Sequence, residues 1–196
     1  MDDENKLVNK IIHGDQESFT ILVKKYEQLV AHIVYSHVRN PDDRNDLCQE
    51  IFLKVYVNLG SFEFRSKLST WIGRVSYNAC MNHLKKKQVP IDDNIHRADA
   101  TENYETGLDT LPSADDVPDS ELHRQELSDI VERTIRKLPR KYRLPMILFY
   151  MDDLSYTEIS KILGVSMSNV KVLLFRARKM LKDCILEQYR EEELWQ

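Results

Sequence analysis

Apolar residues recur at intervals of three and four along most of this chain, the period of helices with one buried face. Phe19, Leu22, Val23, Tyr26, Leu29, Val30, Ile33 and Val34 form the longest such stripe. Before it, Leu7, Ile11 and Ile12 make a shorter one, broken at Gly14. Asp15 stands where an N-cap is needed, just ahead of Ser18 and Phe19. Asn40-Pro41-Asp42 reads as a stop and a new start. Leu47, Ile51, Phe52, Val55 and Leu59 then continue the period until Leu59-Gly60-Ser61 ends it. A fourth helix is predicted with Ser69 or Thr70 as its cap and Trp71, Ile72, Val75, Ala79 and Leu84 inward, running out into Lys85-Lys86-Lys87.

The period then lapses. Ile91–Glu121 carries ten acidic residues against one Arg, with two Pro and a Gly, and reads as a linker. Helical spacing resumes at Leu122, Leu127, Ile130, Val131, Ile135 and Leu138. Pro139 opens another helix with Tyr142, Met146, Ile147 and Tyr150, followed by helices at Tyr156–Leu163 and roughly Met167–Leu186. The expected fold class is all-α: two small helical domains, residues 1–88 and 121–187, joined by an acidic linker over 89–120, with a tail over 188–196.

The strongest local geometry lies between Leu154 and Lys182. Ser155 with Glu158 three residues later is a capping box. Gly164 suits a left-handed break, and Ser166 or Ser168 can cap the next helix. This is the pattern of a helix-turn-helix. Val170, Leu174, Ala177 and Leu181 are expected inward, leaving Ser168, Asn169, Lys171, Val172, Phe175, Arg176 and Lys179 on a face that can enter a major groove. Lys171 and Arg176 can reach guanine edges or phosphates, while Arg178, Lys179 and Lys182 are expected to grip backbone.

Charge sharpens this. The chain carries a net charge of −4, yet Phe64–Lys87 and Ile159–Lys182 each hold six Lys or Arg and no Asp or Glu. Two segregated basic blocks are the footprint of nucleic acid held in two places. The first block comes with Phe62, Phe64, Trp71 and Tyr77, and with Asn78 and Asn82. Rings beside cations suit unpaired bases, and amides can read a base edge. Trp71 also stands at a core spacing, and packing against the domain is as good a use of Phe62 and Phe64 as stacking on a base.

Other chemistry is poorly provided for. Cys48, Cys80 and Cys184 are far apart and odd in number, as expected of reduced thiols in or near cores. The six His show no ligand spacing, so neither a metal nor another cofactor is expected. No apolar run reaches 18 residues, and Met1-Asp2-Asp3-Glu4 is not the start of a signal peptide, so no membrane insertion is expected.

Taken in order, these motifs resemble bacterial RNA polymerase sigma factors of the extracytoplasmic-function group, over about residues 5–87 and 120–184. Gly14-Asp15-Gln16-Glu17-Ser18-Phe19 with Leu22-Val23-Lys24-Lys25-Tyr26 is similar to the family's opening helices. Asp46-Leu47-Cys48-Gln49-Glu50-Ile51-Phe52 resembles its D-x-x-Q-E-x-F signature. Phe62 through Ser69-Thr70-Trp71-Ile72, Arg74-Val75, Asn78 and Asn82 resemble its promoter-melting region. Leu138-Pro139, Leu154 to Ile159 and Val170 to Arg178 resemble its C-terminal promoter reader.

The resemblance implies a cytoplasmic, non-enzymatic bacterial protein with a sigma-2-like bundle and a sigma-4-like helix-turn-helix. It implies binding to core RNA polymerase through Asp46, Gln49, Glu50 and Lys54. Phe62, Phe64, Arg65, Lys67, Arg74, Asn78 and Asn82 would handle the −10 element, with a flipped base among Phe62, Phe64 and Asn78. The helix-turn-helix face would read the −35 element. An anti-sigma factor, often membrane-tethered, is a further implied partner, fitting between the domains. Val172-Leu173 departs from the family's frequent Ser-Arg and removes one cation from the reading helix. The rival reading is a stand-alone helix-turn-helix regulator, which leaves Phe64–Lys87 without a purpose. A DNA-acting enzyme is disfavoured, because the sequence holds no catalytic constellation.

Overall fold

The computed structural model of the chain describes residues 2–87 and 130–188. The acidic linker, Leu122, Leu127 and most of the tail lie outside the described residues. Among the described residues the regular structure is helical. α1 (Asp2–Ile12), α2 (Gln16–His37), α3 (Pro41–Asn58) and α4 (Leu68–Lys86) form the first half, with a short 3₁₀ turn at Leu59–Ser61. The second half comprises α5, helical over 130–137, and α6 (Arg140–Tyr150), α7 (Tyr156–Leu163) and α8 (Met167–Gln188).

Caps set the boundaries of the first half. Asp15 accepts from the backbone N–H groups of Glu17 and Ser18 and from the Ser18 hydroxyl at 2.8 Å, which opens α2. Asn40 does the same for α3, with Pro41 at its first position. Between α1 and α2, Gly14 takes φ +91°, a conformation open to glycine because it lacks Cβ. The predicted cap of α4 is corrected. The helix starts at Leu68, and its N-cap is Lys67, without a side-chain bond. Leu68 is buried and so is pulled into the helix by packing. Thr70, one of the expected caps, is buried in the first turn.

α2 is the central strut. It packs against α1, α3 and α4, and also against α6. Its Leu22, Tyr26, Leu29, Val30, Ile33 and Val34 are all buried, as the stripe predicts. His37 extends that face. It is buried, donates from Nδ1 to the Ile33 carbonyl at 2.9 Å and meets Tyr77 edge-on. In α1, Val8 and Ile11 face inward while Ile12 is half exposed.

The two halves share one apolar cluster. Ile72 of α4, Leu148 of α6 and Ile162 of α7 belong to it together. Where α4 crosses α7, the fit depends on Gly73: a Cβ there would lie 2.7 Å from Ile162 Cδ1. His32 of α2 donates from Nδ1 to the Asp152 carboxylate at 2.9 Å, tying α2 to the loop after α6. The halves are thus packed face to face, an arrangement that no local pattern in either half announces.

Candidate nucleic-acid and polymerase interfaces

α7, Gly164 and α8 build the helix-turn-helix. Ser155 and Glu158 form the capping box in full: Ser155 N–H donates to Glu158 Oε2 at 2.8 Å, and Glu158 N–H to Ser155 Oγ at 3.3 Å. Gly164 ends α7 at φ +69°, and Val165 N–H reaches back to the Ser160 carbonyl in a Schellman-type closure. Ser166, rather than Ser168, caps α8 by accepting from Asn169 N–H.

On α8, Val170, Leu174 and Ala177 are fully buried, while Leu181 is only partly so. Ser168, Lys171, Phe175 and Lys179 are exposed, and Asn169, Val172 and Arg176 are half exposed. These seven residues therefore share one solvent-facing side of the helix. Two details differ from expectation. Leu173 is buried, so of the Val172-Leu173 pair only Val172 borders the reading face. Arg178 is already partly engaged within the fold: its Nε donates to the Tyr150 hydroxyl at 2.8 Å, and its guanidinium lies 5.7 Å from the Phe149 and Tyr150 ring centres.

In the first half, Asp46, Gln49 and Glu50 are exposed on α3, whose Leu47, Ile51 and Val55 are buried. Lys54 pairs with Glu50 at 2.6 Å one turn away. The Lys54 hydrogen bond holds the Glu50 carboxyl below the ordinary carboxylate range, against a smaller opposing effect of burial. The same face continues into Leu53, Tyr56 and Val57, which are 64%, 44% and 77% exposed. Sequence reasoning missed these three. Their signal was present, because they continue the Gln49–Glu50 side of the helix at three- and four-residue spacing.

The loop before α4 splits its aromatic pair. Phe62 is buried, with its ring 5.5 Å from that of Trp71, so a base can reach it only if the loop rearranges. Phe64 lies against it at 4.7 Å but is 39% exposed. Phe64 also has φ +57°. That is strained for a bulky residue and costs on the order of 1–3 kcal/mol. Arg65 pairs with Glu63 in the same loop. Asn78 and Asn82 are exposed at one-turn intervals along α4, continuing from Arg74.

Two of the cations expected on DNA are engaged elsewhere. Lys67 Nζ lies 2.9 Å from Glu158 Oε1, and Arg74 Nη1 donates to the Lys161 carbonyl at 3.2 Å. Glu158 therefore caps α7 with one oxygen and bridges to the first half with the other. Burial raises its carboxyl pKa, but hydrogen bonds from Ser155 and Lys67 outweigh that and hold it below the ordinary range.

Comparison with known proteins agrees with this layout. The family model described as Sigma-70 region 2 matches residues 22–89, and that described as Sigma-70, region 4 matches residues 128–181. The chain is 31% identical to the ECF RNA polymerase sigma factor SigW of Bacillus subtilis, over 90% of this chain and 94% of that one. It is 35% identical to the ECF RNA polymerase sigma-E factor of Escherichia coli, over 89% and 90%. Among solved structures, CnrH in complex with the cytosolic domain of CnrY superposes with a TM-score of 0.59 at 20% identity, covering 91% of this chain and 94% of that one. The sigma factor RpoE from Bartonella quintana, bound to the anti-sigma factor NepR, gives 0.58 at 18%, covering 86% and 97%. These similarities cover both halves in the order the motifs require, and the chain belongs to the ECF group of sigma-70-family RNA polymerase sigma factors.

Proposed function

We propose that this sigma factor binds core RNA polymerase and carries it to promoters, with residues 1–88 handling the polymerase and the −10 element and residues 121–187 reading the −35 element. Residues 89–120 connect the two. The observation that carries this reading is the placement of the two acid-free basic blocks. One lies on α4 and its approach loop, the other on the exposed face of an intact helix-turn-helix, in a chain of the sigma-70 family. The role is non-enzymatic and cytoplasmic, where bacterial polymerase works. Among the described residues, no helix is long and apolar enough to cross a membrane.

Within this reading, Asp46, Gln49, Glu50 and Lys54 meet polymerase, and Leu53, Tyr56 and Val57 add apolar area to the same contact. Phe64, Arg65, Lys67, Arg74, Asn78 and Asn82 engage the −10 strand, and Phe62 supports Phe64 from beneath. Ser168, Asn169, Lys171, Val172, Phe175, Arg176 and Lys179 face the −35 duplex. Lys67 and Arg74 are held by the second half in the free chain, so productive DNA binding requires the halves to part. Weak affinity for DNA in the absence of polymerase follows, which separates this reading from a stand-alone regulator. The Bartonella relative was solved with an anti-sigma factor. An equivalent inhibitor, membrane-tethered or not, would act here by favouring the closed arrangement.

The test is run-off transcription on genomic fragments with purified chain and core polymerase. Transcripts from specific promoters that core alone ignores are expected. Their absence on every fragment, with tight operator binding by the chain alone, would instead establish a regulator.

A further inference from the structure

A cavity of about 310 Å³ lies between the end of α2 and the α5–α6 junction. Five cations line it: Arg39 and Arg44 from the first half, Lys137, Arg140 and Arg143 from the second. No carboxylate is among its lining residues, and none is paired with these five among the described residues.

Two of the five are fixed in place by neutral partners. Arg44 donates from Nε to the Val38 carbonyl at 2.7 Å, with its guanidinium 4.7 Å from the Tyr35 ring centre. Arg143 donates from Nε and Nη2 to the Leu138 carbonyl at 3.2 and 2.8 Å. Carbonyls orient a guanidinium but leave its charge uncompensated. Burial, then Arg140 and Arg39, push the Arg143 pKa down. Burial is also the main cause of His37 falling to about 4, with Arg140 and Arg143 adding to it. α6 begins at this wall with Pro139 as an N-cap lacking any side-chain bond, and its first turn holds Arg140, Lys141 and Arg143 without an acid. Cations at the positive end of a helix are the unfavourable arrangement. Mutually repelling cations around a partly open cavity, two of them held in place by carbonyls, make a receptor for a compact anion of high charge.

We propose that this cavity binds an oligophosphate group, free or carried on a nucleotide, and that occupancy holds the two halves together. The volume lies at the lower end of the range for small-ligand sites, which suits a phosphate chain better than a whole cofactor. Because the walls come from both halves, the ligand binds the closed form preferentially and shifts the population toward it. By reciprocity, an oligophosphate and the −10 strand oppose one another. The proposal goes beyond promoter recognition and is tested without polymerase, so either can fail alone.

The experiment is titration calorimetry of the full chain with tripolyphosphate, a nucleoside triphosphate, orthophosphate and a DNA oligonucleotide of matched phosphate content, alongside thermal melts. Tripolyphosphate or the nucleotide should bind and raise Tm by several degrees at saturation. Orthophosphate should bind at least tenfold more weakly. Arg39→Gln with Arg140→Gln, which breaks no recorded hydrogen bond, should weaken binding at least tenfold with unchanged circular dichroism. The His37 pKa should rise on binding, read by NMR. Tighter binding of the nucleotide than of tripolyphosphate assigns a nucleotide; the reverse assigns a free oligophosphate. Absence of binding at millimolar ligand overturns the proposal, as does equal binding by the double variant. Binding of the oligonucleotide that is itself lost in the double variant also overturns it, since the patch would then be a DNA-backbone contact.

Discussion

Single residues carry several duties here, and their protonation and backbone states give direct tests. His37 is held neutral, with its pKa lowered from 6.5 to about 4, chiefly by burial. Between those values the unfolded chain binds a proton that the folded chain does not, so stability falls as pH drops through that window. Chemical denaturation from pH 7 to pH 4 should show this loss, and His37→Gln should flatten the part between pH 6.5 and 4. Phe64 offers a different test, because its backbone is strained while its ring is exposed. Asn tolerates a left-handed conformation far better than Phe. Phe64→Asn should therefore leave stability unchanged or raise it by roughly 1 kcal/mol, while promoter opening by the holoenzyme, followed by permanganate reactivity, falls. Reduced stability together with normal opening would make the ring a packing group. The exposed aromatic was readable from composition. That its neighbour Phe62 lies beneath it was not, because two aromatics two apart in a loop carry no periodicity to say which faces inward.

At the scale of elements, the helices follow from patterns that close within a few residues. The capping box of α7 and the stripe of α2 needed no tertiary information. Gly164 is the sharpest case: φ +69° is open to glycine and strained for alanine. Gly164→Ala should cost about 1–2 kcal/mol in thermal unfolding and reduce −35 binding, because it re-aims α8. An unchanged Tm would mean the turn relaxes without loss. The cap of α4 was misplaced because Ser69 and Thr70 are good caps in isolation, yet burial of Leu68 extends the helix past them. Arg178 was read as a phosphate contact because spacing shows a cation near a basic face. Spacing does not show the Tyr150 hydroxyl that takes it, since that partner belongs to α6.

At the scale of the whole molecule, α4 packs on α7, and under the proposed function DNA binding would require the halves to separate. Gly73 is its most sensitive point, with a Cβ there placed 2.7 Å from Ile162 Cδ1. Gly73→Val should keep the helical signal but loosen the contact, giving a larger hydrodynamic radius and tighter binding of single-stranded −10 DNA without polymerase. Unchanged size and affinity would show that the contact yields without opening. The amino-acid sequence by itself determined the helices, the two basic blocks, the helix-turn-helix and the family, because periodicity, caps and charge segregation are local and survive in one dimension. Tertiary structure alone decided that Glu158 reaches Lys67, that Arg74 meets the end of α7, and that five cations from both halves surround one cavity. Those contacts join residues up to about 100 positions apart across an acidic linker, and their energy depends on the orientation of one half against the other, which no local pattern encodes.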